Sequence, residues 1–268
     1  MAEKKKPTVN RFRKMKREGE KIVMLTAYDA PTARLADECG IDLLLVGDSL
    51  GMAVLGYENT LPVTMEQMLH HCAAVRRGAP AAFVVGDMPF MSYHISMEQA
   101  LTNAARFLQE SQCDAVKLET DPSTLPVVRR LVEAGIPVMA HIGLLPQSIK
   151  TSGSYKIVGR QEEEAERLIA EAKELEEAGA FAVVLECIPA AVSKRIAEAI
   201  SIPAIGIGAG VHCDGQVQVV NDLLGLFTDF IPKHSKRYAV LHEEIRRAFS
   251  EYVSEVRDGV FPAESNSF

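Results

Sequence analysis

The sequence predicts an α/β protein, a closed (β/α)8 (TIM) barrel, on three observations. Short apolar, β-branched runs alternate with longer amphipathic ones along the chain. The short runs are apolar throughout rather than at every second residue, which marks strands buried on both faces, as in a parallel sheet. There are eight such runs in 268 residues, a strand number and length that fit one barrel.

The expected strands are KIVMLTAYD (21–29), DLLLVGD (42–48), AAFVVGD (81–87), DAVKLE (114–119), IPVMAHIG (136–143), FAVVLE (181–186), IPAIGIG (202–208) and LLGLF (223–227). Most are bounded by glycine, proline or an acid, residues that interrupt a ladder. Between them, TMEQMLHHCAAVRRG begins at a Thr64 cap and stops at Gly78. SMEQALTNAARFLQES opens on Ser96 with Gln99 three residues on, the capping-box spacing. QEEEAERLIAEAKELEEAGA carries its acids early and ends at Gly179, and SKRYAVLHEEIRRAFSEYVSEVRDG is a long final amphipathic run. The phrases ECGIDLL, EAGIPV and EAGAFAV recur because each helix passes through glycine into the next strand. GIGAG (206–210) fails the dinucleotide fingerprint, since Val211 stands where its third glycine belongs. With no linker or low-complexity stretch, residues 1–268 are expected to form a single barrel domain. It would carry a short basic N-terminal segment and a C-terminal helical extension.

A formal charge of −7 disfavours nucleic acid as a partner, because phosphate binding needs a basic surface. No apolar stretch approaches the roughly 20 residues that span a bilayer, so no membrane is expected. MAEKKKPTVNRFRKMKREGEK is basic without an apolar core behind it; it reads as a solvated tail and short helix, not a secretory signal. Cys39, Cys72, Cys113, Cys187 and Cys213 are scattered, with no Cys-x-x-Cys pair. Neither a disulfide framework nor a zinc site is indicated, and a reducing cytoplasm fits.

Barrel active sites form at the carboxyl ends of strands. Here the strand ends supply Asp29, Asp48, Asp87, Lys117 with Glu119, His141 and Glu186, mostly acids in runs otherwise almost free of them. Buried carboxylates converging on one mouth need a cation or protons. Asp48 and Asp87, each after an apolar run and a glycine, are therefore expected to hold a metal, rather than merely to cap the next helix. Carboxylate oxygens without thiolate or clustered histidine suit Mg²⁺, with Mn²⁺ or Co²⁺ as substitutes, and two aspartates leave about four positions for a chelating substrate and water. Lys117 and Glu119 point to one face by strand alternation. They either bind a substrate carboxylate and orient the metal, or form a buried ion pair. His141 either binds substrate or fills space. Glu186, ending so apolar a strand, suits a general base, the alternative being an arginine partner or a helix cap. The adjacent His70 and His71 diverge by about 100° on a helix and read as structural. TSGSYKIVG (151–159), rich in small residues, reads as a mobile loop, either a lid or a connection with no catalytic part.

MLTAYD, VGDSLGM, TLPVTMEQMLHH, RRGAP, GDMPFMSY, KLE, PVMAHIGLLPQS, LECIP, IPAIGIGAG and CDGQVQVVNDLLGL, in that order, resemble the motif series of the 3-methyl-2-oxobutanoate hydroxymethyltransferase (ketopantoate hydroxymethyltransferase) family. The likeness runs from about residue 8 to residue 236. It implies a barrel of the phosphoenolpyruvate/pyruvate superfamily and a cytoplasmic homodecamer, a pentamer of dimers. It also implies transfer of a one-carbon unit from 5,10-methylenetetrahydrofolate to 3-methyl-2-oxobutanoate, giving 2-dehydropantoate in pantothenate synthesis by Mg-stabilised, aldol-type enolate chemistry. Position by position, it makes Asp48 and Asp87 magnesium ligands and Glu119 a third carboxylate at the metal. Asp48, Ser49, Asp87 and Lys117 become keto-acid binding positions and Glu186 the proton acceptor. The chain departs from the family at Ser154, where a second glycine is usual, and at His234 and Ser235, where Phe-Val is common. The Lys-Lys-Cys-Gly-His signature of the isocitrate lyase and phosphoenolpyruvate mutase type is absent.

Overall fold

A computed structural model of the chain describes residues 6–228 and 232–268. It forms two compact units, Met1–Val219 and Val220–Phe268. Residues 1–5 of the expected basic segment lie outside the described residues.

The first unit is built from α1 (Val9–Glu18), β1 (Ile22–Thr26), α2 (Ala30–Glu38), β2 (Leu43–Val46), α3 (Leu50–Ala53), α4 (Met65–Gly78), β3 (Phe83–Asp87), α5 (Met97–Gln109) and β4 (Ala115–Glu119). It continues through α6 (Leu125–Glu133), β5 (Val138–Gly143), a 3₁₀ turn (Pro146–Ser148), α7 (Ile149–Ser152), α8 (Glu162–Glu177), β6 (Ala182–Glu186), α9 (Ala190–Ala199), β7 (Ala204–Ile207) and β8 (Gly215–Gln218). Every neighbouring pair of strands is parallel, and β8 closes on β1 with Ile22 opposite Gly215.

The barrel interior is filled by inward residues spaced two apart: Leu43 and Leu45, Phe83 and Val85, Ala182 and Val184, with Met24, Met139, Ile205 and Val217. Phe12 and Met15 of α1, each 1% exposed, plug the amino-terminal end, where the Phe12 ring meets Phe83 edge-on at 5.1 Å. Aspartates brace that same end. The carboxylates of Asp42, Asp114 and Asp214, each just ahead of β2, β4 and β8, accept from Val23, Val84 and Ala204 N–H at 2.8–2.9 Å. Lys16 pairs with Asp214, and Arg76 with Asp114.

Helix starts follow their caps. Thr64 and Gln67 make the full reciprocal box, and Ser96 Oγ accepts from Gln99 N–H. Asp29 proves to be a cap as well: its Oδ1 accepts from Thr32 N–H at 2.8 Å, which takes it out of the strand-end set.

Seven expected strands form where the sequence places them. The eighth does not. LLGLF is no strand; β8 is GQVQ (Gly215–Gln218), two of whose four residues are glutamines. Its polar residues hid it: Val217 faces the core while Gln216 is exposed, so no apolar run marks it. A side chain at Gly215 would lie 2.4 Å from the Ile22 carbonyl, so close approach of the strands excludes a larger residue there.

The second unit holds α10 (Val220–Leu223), which takes the start of LLGLF and is followed by a left-handed Gly225, and α11 (Leu241–Arg257). Ile245, Phe249, Val253 and Val256 of α11 are exposed. Among the described residues, no helix is long and apolar enough to cross a membrane.

Candidate active site

The two-residue step that fills the core continues upward into charge. Asp87 follows Val85, Lys117 and Glu119 follow Ala115, His141 follows Met139, and Glu186 follows Val184, all at the carboxyl ends of their strands. Asp48 stands one residue past Gly47, where a Cβ would lie 2.8 Å from Ser49 Oγ. Asp48, Asp87, Lys117, Glu119 and His141 are each at most 5% exposed.

Lys117 Nζ donates to both oxygens of Asp87, at 2.7 and 2.8 Å. The Asp48 backbone N–H donates to Asp87 Oδ2 at 3.2 Å, which brings the two aspartates together. Lys117 and Glu119 share a face as expected, but the lysine pairs with Asp87. Glu119 instead accepts from the Gln147 backbone N–H, at 3.0 and 3.2 Å. Ser49 Oγ lies 2.8 Å from the Tyr28 hydroxyl, and His71 Nδ1 lies 2.6 Å from the Tyr28 carbonyl, a structural place for that histidine.

Three buried carboxylates thus share one ammonium. Burial, then the Asp87 charge, pushes Asp48 up to about 7. Burial and Asp48 raise Glu119 well above the usual carboxylate range. Burial works against the Lys117 ammonium, yet Asp87, Asp48 and Glu119 together hold it above its ordinary value. A second cation relieves this imbalance, and the all-oxygen donor set suits a hard divalent ion. Among the described residues, no three His, Cys, Asp or Glu side chains form a ready-made cage. The set fits a metal held by two aspartates that keeps open positions.

His141 Nε2 stands 3.1 Å from Glu186 Oε2, yet neither ring nitrogen has an aligned hydrogen bond among the described residues. Burial and Lys117 lower its pKa, so the ring is neutral. The chain turns sharply after Glu186: Cys187 takes φ +50°, uncommon outside glycine. Burial and Glu186 push its thiol up to about 11, which keeps it protonated.

The 151–159 segment is mostly exposed and tied at its far end, where Val158 N–H donates to the Cys187 carbonyl at 3.0 Å. Tyr155 in this segment is half-exposed; burial, then the charges of Glu186, Asp48 and Glu119, raises its pKa.

Two residues escaped the sequence reading. Gln147 donates from Nε2 to Asp48 Oδ2 at 2.9 Å, and the Tyr93 hydroxyl donates to Gln147 Oε1 at 3.0 Å. Their one signal was membership of the PVMAHIGLLPQS and GDMPFMSY stretches.

A closed parallel barrel with a charged, cation-seeking mouth at its strand ends defines an enzyme of the (β/α)8 class. The fold is shared with 2,3-dimethylmalate lyase, a PEP mutase/isocitrate lyase superfamily member, at a TM-score of 0.60 and 15% identity over 97% of this chain and 91% of that one. The chain belongs to the ketopantoate hydroxymethyltransferase family, a family of transferases, whose sequence profile matches residues 6–264. It is 55% identical over 261 residues to the 3-methyl-2-oxobutanoate hydroxymethyltransferase of Dehalococcoides mccartyi (strain CBDB1), covering 97% of this chain and 94% of that protein. It is 58% identical over 260 residues to the Thermotoga neapolitana protein of the same name, covering 97% and 96%.

Proposed function

We propose that this enzyme adds a hydroxymethyl group from 5,10-methylenetetrahydrofolate to 3-methyl-2-oxobutanoate, giving 2-dehydropantoate for pantothenate synthesis. The acceptor comes from the names of its relatives. The folate donor and the chemistry come from the family resemblance and the mouth. The observation that carries the reading is the pairing, on one rim, of the under-neutralised Asp48–Asp87–Lys117–Glu119 cluster with Glu186 beside a neutral histidine.

Asp48 and Asp87 would hold Mg²⁺, with Mn²⁺ or Co²⁺ as substitutes, and Glu119 would act through water or through Gln147. When bound, the ion supplies Lewis-acid polarisation of the 2-oxo group, a contribution of several kcal/mol. Lys117 and Ser49 bind and orient the substrate carboxylate. Lys117 stays an ammonium through its acidic neighbours, so it serves as a charge and not as a Schiff-base amine. Glu186 takes the proton from C3, the carbon beside the carbonyl, for an acid–base contribution of roughly 10² to 10⁴ in rate. His141, buried with unfilled nitrogens, offers a hydrogen bond to Glu186 or to the substrate oxygen. Tyr155 and its loop limit the access of bulk water once the keto acid is in place. The resulting carbon nucleophile attacks the methylene unit of the folate, opened to its iminium form by breaking one C–N bond. One water then replaces the remaining C–N bond, which leaves the hydroxyl on the new carbon and releases tetrahydrofolate. The same reading carries a reducing cytoplasmic setting and a homodecamer of five dimers, with no nucleic-acid or membrane partner.

The test is incubation with both substrates and Mg²⁺, with and without chelator, following 2-dehydropantoate. Product that persists after exhaustive EDTA dialysis would refute the metal role. Glu186→Gln should bind keto acid almost as the parent does, yet lose exchange of the C3 proton with deuterated water. Rapid exchange in that variant would move the base elsewhere.

A further inference from the structure

Gln147 touches no substrate in the steps above, yet every polar atom of its side chain is engaged. Both amide hydrogens are used: Nε2 donates to Asp48 Oδ2 at 2.9 Å and to the Met88 carbonyl at 3.0 Å. Oε1 accepts from the Tyr93 hydroxyl at 3.0 Å. The backbone N–H reaches both oxygens of Glu119. The residue is 4% exposed. A half-turn of the amide would set its oxygen against a carboxylate and a carbonyl, so its orientation is fixed. Tyr93 keeps the proton it donates, because burial and Glu119 raise its pKa well above the usual phenol range.

The placement joins four strands. Gln147 sits in the 3₁₀ turn after β5 and bonds Asp48 beyond β2, Met88 beyond β3 and Glu119 at the end of β4. A neutral amide is the fitting donor here. It fixes a carboxylate without adding positive charge that would compete with a bound cation. A lysine or arginine in its place would neutralise the cluster and weaken cation binding. Asp48 Oδ1 has no hydrogen bond among the described residues, so pinning Oδ2 leaves one defined oxygen for a ligand.

We propose that Gln147 is a positioning residue that clamps Asp48 at a fixed orientation and ties it to Glu119, so that Asp48 is preset for the cation it would share with Asp87. This rests on the reading of Asp48 as a cation ligand. Residues that orient metal ligands typically change metal affinity by 10- to 100-fold when replaced.

The experiment is Mn²⁺ binding to the full-length protein, followed by the EPR signal of the free ion, for the parent, Gln147→Met and Tyr93→Phe. Methionine keeps the length and removes the donors. Gln147→Met should raise the Mn²⁺ dissociation constant about 10- to 100-fold. Turnover at saturating cation should return to within about threefold of the parent, the sign of lost cation binding and not of lost chemistry. Tyr93→Phe, which frees only the far end of the amide, should weaken Mn²⁺ in the same direction but less. It serves as the test if the methionine variant does not fold. A parent that binds Mn²⁺, with variants that bind it equally well and only melt earlier or turn over more slowly, overturns the inference alone. A parent that binds no Mn²⁺ overturns both the inference and the metal reading beneath it.

Discussion

Gly143 sets the position of Glu186. It ends β5 with φ +98°, and a Cβ there would lie 2.3 Å from the Glu186 carbonyl oxygen and 2.8 Å from Ile188. The carbonyl is held in place, because Leu144 N–H donates to it at 2.9 Å. Gly143→Ala should therefore destabilise the protein by roughly 1–3 kcal/mol through overlap, with the left-handed backbone adding to it. C3-proton exchange should fall more steeply than keto-acid affinity, since Glu186 moves while Asp48, Asp87 and Lys117 do not. Thermal melting and deuterium exchange read the two effects separately, and equal losses of binding and exchange would contradict the account. At this scale the sequence was legible where a charge interrupts an apolar run, because burying a lone carboxylate is costly enough to imply a partner. That rule found Asp48, Asp87, Glu119 and Glu186. It also drew in Asp29, which caps α2 and is solvated. Gln147 has no such signal: a glutamine in a loop is ordinary until its neighbours from three other strands are known.

Among the elements, α1 does the work of a stopper. Phe12 and Met15 fill the amino-terminal end of the barrel, Phe12 against Phe83 and Phe83 against Phe181 at 5.8 Å. Phe12→Ala should cost about 3–5 kcal/mol, because the rings around the vacated space are held by their strands and cannot collapse into it. The loss should appear in denaturant or thermal unfolding. C3-proton exchange of the folded fraction should be nearly unchanged, since the charged mouth is at the opposite end; an exchange rate that fell with stability would show the two ends to be coupled. The seven apolar strands were legible because burial on both faces demands hydrophobic residues at every position. β8 breaks the rule through Gln216 on its outer side and Gly215 where it approaches β1. LLGLF, apolar and β-compatible, is drawn instead into the short helix α10 and its left-handed exit at Gly225. The brace of Asp42, Asp114 and Asp214 was also out of reach, because an aspartate ahead of a strand reads as a turn residue until the ladder beside it is in place.

For the whole molecule, the charge imbalance at the mouth couples stability to pH and, on the metal role proposed above, to a divalent cation. Burial, then the Asp87 charge, pushes Asp48 up to about 7 from an ordinary value of about 3.8, and burial and Asp48 displace Glu119 the same way. Between those values the native state binds more protons than the unfolded state, so stability is full at low pH and declines as pH rises toward neutrality. Metal-free protein should therefore melt at a lower temperature at pH 8 than at pH 5, and Asp48→Asn should flatten that slope. A divalent cation at the proposed site would take over the role of the proton, so Mg²⁺ should raise the melting temperature much more at pH 8 than at pH 5. Glu171 on α8 provides an internal control. Burial, with Asp121 nearby, pushes it also up to about 7, so it adds to the decline with the same sign. Mg²⁺ bound between Asp48 and Asp87 offers Glu171 no counter-charge, and its share should persist in saturating metal and vanish in Glu171→Gln. Differential scanning calorimetry of the parent and the two variants, with and without Mg²⁺ at both pH values, separates the shares. A metal-induced gain as large at pH 5 as at pH 8 would mean that the cation does not replace protons on the Asp48 cluster.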